Sequence, residues 1–92
     1  MTTRSTEAGP RIRVAVIAFD RISPFHLAIP GVVFGEAPPT PNPFELVFCA
    51  AEPQPLATSA GYRISGIAGL RALRGADVVV VPSWRDVNER PP

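Results

Sequence analysis

Five places in this 92-residue chain carry side chains able to do chemistry: His26, the lone cysteine Cys49, Ser59, the pair Ser83-Trp84 and the charged run around Arg85, Asp86, Glu89 and Arg90. A histidine can bind a ligand or move a proton near neutral pH, although a helix-end histidine by default packs or bonds locally. Cys49 ends the apolar run Phe44-Glu45-Leu46-Val47-Phe48-Cys49-Ala50. An inert buried thiol is the expectation there, because a reactive thiolate needs an electropositive, accessible setting. Ser59 has no histidine and acid at a recognisable spacing, so Thr58-Ser59-Ala60-Gly61 reads as a turn. Trp84 has two uses open to it, lining a pocket or covering a sheet edge. Arg85, Asp86, Glu89 and Arg90 read as solvated or locally paired charges, with an arginine able to hold an anion as the sharper alternative.

The elements that must position these residues follow from hydrophobic patterning. Ile12-Arg13-Val14-Ala15-Val16-Ile17-Ala18-Phe19 is β-branched and almost wholly apolar, the pattern of a central strand covered on both faces. Ser23 is placed to cap and Pro24 to open a helix running to Glu36, with a kink or break expected near Ile29 because Pro30 removes a backbone donor. Phe25, Ile29, Val32 and Val33 are its expected sheet-facing stripe. A second strand is predicted at Phe44 to Ala50, a small extended arm at Gly61 to Ser65, and a short helix from Ile67 to a glycine cap at Gly75. Val78-Val79-Val80-Val81 before Pro82 predicts a short strand buried on both faces. Strands linked by helices imply parallel neighbours. The expected fold is α/β: a partial, flavodoxin-like, doubly wound parallel sheet of about three strands with two main helices. Residues 1–10 read as a disordered tail, and 11–92 as the incomplete amino-terminal portion of a larger domain.

In such sheets ligands sit beyond the carboxyl ends of the strands, where strand order reverses. Those ends are Phe19-Asp20 and Pro82-Ser83-Trp84, which makes His26, Ser83 and Trp84 the candidate pocket residues for a small-molecule ligand. No cofactor is implied: no Gly-x-Gly-x-x-Gly follows the first strand, no Gly-x-x-x-x-Gly-Lys occurs, and Cys49 has no partner at metal-ligand spacing. Nine basic and eight acidic residues give a net charge of +1, scattered along the chain, which offers no footprint for nucleic acid or an anionic membrane. No apolar run reaches the ~20 residues that span a bilayer, and no signal peptide opens the chain, so a cytoplasmic location is expected.

Four segments in order, Val14-Ala15-Val16-Ile17-Ala18-Phe19-Asp20, Pro30-Gly31-Val32-Val33-Phe34-Gly35, Thr58-Ser59-Ala60-Gly61 and Val79-Val80-Val81-Pro82-Ser83-Trp84, resemble the ThiJ/PfpI superfamily. This is the class I glutamine-amidotransferase-like fold, and the version most resembled is the amino-terminal domain of AraC-type transcription regulators. The resemblance implies a ligand-sensing domain whose nucleophile elbow and DNA-binding helix-turn-helix would both lie after Pro92, so this segment itself would neither catalyse nor touch DNA. It also implies departures from an active enzyme. His26 stands where many catalytic members carry an acid, four residues before the helix proline. Ser83-Trp84 replaces a glycine pair that helps build an oxyanion hole, and Val32 replaces a glutamate frequent in the regulators. Two other readings stay open: a fragment of a cysteine-dependent hydrolase or hydratase, and a short chain that completes its sheet by homo-oligomerisation.

Overall fold

The computed structural model describes residues 11–86 and 88–90, so the tail expected at 1–10 lies outside the described residues. The fold is α/β. β1 (Ile12–Ala18) is central, with β2 (Phe44–Ala50) parallel on one side and β5 (Val78–Val80) parallel on the other. Ile12 pairs with Phe44 and Ala18 with Ala50, while Val14 to Val16 pair with Val78 to Val80. Flanked on both sides, β1 contributes four residues with no exposed surface: Val14, Ala15, Val16 and Ala18. That is what its unbroken apolar sequence requires.

Between β1 and β2 runs α1 (Pro24–Pro30), which continues through a π-helical segment, Gly31–Glu36. The winding changes directly after Pro30, the residue that lacks a backbone donor. Ser23 holds the N-cap position in extended conformation, but its hydroxyl makes no capping bond, contrary to the expectation from sequence. The stripe facing inward also differs from the expected one. Pro30 is buried and Leu27, Gly31 and Phe34 are half-buried, whereas Phe25 is 72% exposed and Ile29, Val32 and Val33 are about half exposed. Residues 27, 30, 31 and 34 have the same i, i+3, i+4, i+7 spacing as a helix face. Both stripes are apolar, so periodicity alone could not choose between them. Small size decides: a Cβ on Gly31 would sit 3.6 Å from the Phe48 ring and one on Gly35 3.3 Å from Leu46, which lets the helix lie close to β2. Asn42 then ties the π segment to β2, donating to the Phe34 carbonyl at 2.9 Å and accepting from the Phe44 N–H at 2.8 Å.

After β2 a small antiparallel pair forms from β3 (Leu56–Ala57) and β4 (Arg63–Ile64), matching the expected extended arm. Thr58 turns the chain between them. Its hydroxyl donates to the Tyr62 carbonyl at 2.8 Å and accepts from the N–H groups of Ala60 and Tyr62, and Gly61 takes φ +92. Thr58 is buried, so Thr58→Val is expected to cost about 1 kcal/mol in chemical denaturation, the usual worth of a buried hydrogen-bonded hydroxyl.

The predicted helix from Ile67 to Gly75 is reduced to one 3-10 turn, Leu70–Leu73. Ala68 bonds in strand fashion to the outer edge of β2, its N–H to the Phe48 carbonyl and its carbonyl to the Ala50 N–H. Edge pairing thus claims the residues that would have formed the first helical turn. The expectation for β5 is corrected too. Val78 and Val79 are exposed by 42% and 49%, and Val81 beyond them by 59%, because β5 is an edge strand with one neighbour among the described residues. No helix among the described residues is long and apolar enough to cross a membrane.

Candidate functional site

The core runs from Val14, Ala15 and Val16 midway along β1 to a cluster at the carboxyl ends of the strands. Ala18, Phe19, Ile22, Ala50 and Leu56 form one buried cluster, and Leu27, Ile64 and Trp84 pack against it. Phe19 and Trp84 meet with ring centroids 4.7 Å apart at a 54° tilt. Beside them opens an apolar crevice of about 340 Å³ lined by Ile17, Phe19, Val81 and Trp84 from the β1 and β5 ends and by Leu70 and Leu73 from the 3-10 turn. Strand order reverses between β1 and β5, since β2 was laid on the opposite side of β1. The crevice therefore lies at the switch point where open α/β sheets hold ligands.

Next to Trp84 a polar cluster is organised by Arg85, whose side chain is only 9% exposed. The guanidinium gives Nη1 to the Asp20 carbonyl at 2.9 Å and to Glu52 at 2.7 Å. Nε and Nη2 grip Glu89 in a two-pronged pair at 2.9 and 2.6 Å. Arg85 also lies over the Trp84 ring, its Cζ 4.5 Å from the centroid, and the indole N–H donates to the Glu89 carbonyl at 2.7 Å. Arg21 reaches Glu89 from the other side at 3.1 Å, its backbone held at φ 65. Glu52 further accepts the Asp20 N–H at 2.7 Å, and Asp20 accepts the Ala57 N–H at 2.7 Å. Arg85 thus fastens the segment that follows β5 onto the ends of β1 and β2.

Hydrogen bonds from Arg85, then the Asp20 N–H, hold the Glu52 carboxyl below its ordinary value of 4.5; hydrogen bonds from Arg85, with the charges of Arg85 and Arg21, do the same for Glu89. A carboxyl depressed by folding stabilises the folded state above its ordinary value and loses that contribution as pH falls through the folded one. Acid is therefore expected to detach the segment after β5. The emission of Trp84, the chain's single tryptophan, should shift to the red as pH falls from the ordinary carboxyl value of 4.5 through the lower folded ones. An emission maximum constant over that range would contradict the clamp.

Of the residues singled out from sequence, Trp84 lines the crevice, whereas Ser83, half-buried and next to it in sequence, is not among the crevice's lining residues. His26 does not join them. It is exposed on α1, stacked edge-on against Phe25 at 5.4 Å, and lines neither apolar cavity. Ser59 is exposed on the turn between β3 and β4, in keeping with its turn reading. Cys49 is fully buried in β2, and burial pushes its thiol up, with Arg13 opposing more weakly. Native protein is accordingly expected to react with a thiol reagent such as dithionitrobenzoate only at the rate of opening, and at once in denaturant; rapid native labelling would contradict this burial. Glu52 went unrecognised as a site residue, since it follows β2 in a proline-rich loop and meets Arg85 across 33 positions of sequence.

No family model, curated protein or solved structure matches this chain. Arg85 holds the Glu89 carboxylate in a bidentate fork on one side of Trp84, and the crevice that Trp84 walls is lined by apolar side chains. A second cavity of about 360 Å³ lies under α1 between Leu27, Gly31, Phe48 and Tyr62; it too is mainly apolar.

Proposed function

We propose that this chain is the amino-terminal part of the ligand-sensing, ThiJ/PfpI-like domain of a cytoplasmic AraC-type transcription regulator, with no catalytic role and no DNA-binding helices in this segment. The observation that supports it best is the apolar crevice walled by Trp84 at the β1/β5 switch point, the place where open α/β sheets take small molecules. The uncovered faces agree with a larger domain. Apolar residues surround α1, and β5 exposes its valines, as expected of elements meant to be covered by further strands and helices.

The coding sequence downstream of the Pro92 codon, read in all three frames, tests this reading. An elbow strand followed by a helix-turn-helix is the expected result. An elbow cysteine without the DNA-binding helices would overturn the regulator reading in favour of a hydrolase or hydratase.

One observation favours a second reading, in which the short chain completes its sheet with another copy: among the described residues nothing pairs with the outer edge of β5, beside exposed Val78 and Val79. Sedimentation across a hundredfold concentration range would decide it, since self-association requires a rising average mass and a constant monomer mass excludes it.

A further inference from the structure

Glu89 occupies the strand-end site in the manner of a bound ligand. It presents one carboxylate to the fork of Arg85, through Nε at 2.9 Å and Nη2 at 2.6 Å, and receives Arg21 at 3.1 Å. Its backbone carbonyl accepts the only N–H of the Trp84 indole. Planar, two-pronged pairing of this kind is how arginine recognises free carboxylates. The remaining valences of Arg85 are spent on fixed groups of the scaffold, Glu52 and the Asp20 carbonyl, so the guanidinium stays oriented when Glu89 leaves. Trp84 lies next to both places, with Arg85 stacked over its ring and the apolar crevice walled by it.

We propose that the crevice takes a small monocarboxylate with an apolar body, and that Glu89 is an internal competitor for its head group. The incoming carboxylate replaces the Glu89 carboxylate on Arg85 and Arg21, leaving the local charge unchanged. The apolar body enters the space between Phe19, Val81, Leu73 and Trp84. Release of Glu89 also frees the indole N–H, so binding is coupled to detachment of the segment after β5. This deepens the ligand-sensing reading and rests on it, because it names the ligand class and the element that moves.

Hexanoate and its neutral counterpart hexanamide are the probes, with the fluorescence of the single tryptophan as readout. Hexanoate is expected to give a saturable change, with hexanamide binding at least about tenfold more weakly for want of the charged pair. Glu89→Gln, which keeps the backbone but weakens the competitor, is expected to bind hexanoate about tenfold more tightly, because the open form is no longer a minor population. Arg85→Gln, with circular dichroism confirming the fold, is expected to lose the preference for the acid over the amide. Equal binding of hexanoate and hexanamide, or weaker binding by Glu89→Gln, would overturn the carboxylate proposal while leaving a ligand crevice in place. Silence with both probes in wild type and in Glu89→Gln would overturn the crevice itself as a ligand site. Should Arg85→Gln fail to fold, the acid-amide comparison and Glu89→Gln still decide.

Discussion

Replacement of Phe19 by alanine is expected to cost about 3–5 kcal/mol and to leave the chain largely unfolded at room temperature. Phe19 is 1% exposed, belongs to the one buried cluster at the strand ends and packs at 4.7 Å against Trp84. Its loss removes transfer free energy and leaves a void between β1, β3 and the segment after β5, none of which can close without moving the sheet. Domains of this size have total stabilities at the low end of about 5–15 kcal/mol, so the change takes most of what is available. Urea unfolding followed by far-ultraviolet circular dichroism gives the number. Phe19→Leu, which keeps much of the apolar volume, is expected to lose less than half as much; equal losses for the two would mean that the ring site is not packed as described.

Asp20 carries the second large effect. Its carboxylate accepts the Ala57 N–H at 2.7 Å, while the neighbouring Arg21 N–H donates to the Ala57 carbonyl at 2.8 Å, so two bonds join the end of β1 to β3. Asp20→Ala removes the first and strands the Ala57 donor in a half-buried position. A loss of about 1.5–2 kcal/mol is expected, the lower part of the range for a hydrogen bond to a charged group. Asp20→Asn retains an acceptor of the same geometry and is expected to recover most of it. If Asn were as damaging as Ala in the same denaturation, charge and not the Ala57 bond would be the reason Asp20 matters.

These two residues show where the sequence is informative. β1 and β5 are legible because runs of β-branched apolar residues leave few alternatives, β2 because an apolar, aromatic run follows a proline-rich loop, and the parallel order follows from the segments between them. The direction of α1 was not legible, because Phe25, Ile29, Val32 and Val33 are as hydrophobic as Leu27, Pro30 and Phe34; glycines at 31 and 35 held the deciding information. The second helix failed for a tertiary reason, the capture of Ala68 by the edge of β2. At the crevice, Trp84 could be placed because it follows a strand end. The Arg85–Glu89 pair could be read as local from its four-residue spacing, but not its burial or its grip on Glu52. That partnership joins residues 33 apart and depends on the sheet bringing two strand ends side by side. His26 illustrates the converse. Its position in a motif drew notice, yet the helix carries it to the exposed side.

The central claim is that the β1/β5 strand-end crevice, and not the cavity under α1, is where this fold takes its ligand. The direct measurement is a two-dimensional NMR titration of labelled protein with hexanoate. The account predicts saturable shifts at the Trp84 indole N–H, the Arg85 Nε–H, the Phe19 amide and the Val81 and Leu73 methyls. Shifts confined to Leu27, Ala28, Phe48 and Tyr62 around the other cavity, or no saturable shift at all, would contradict it.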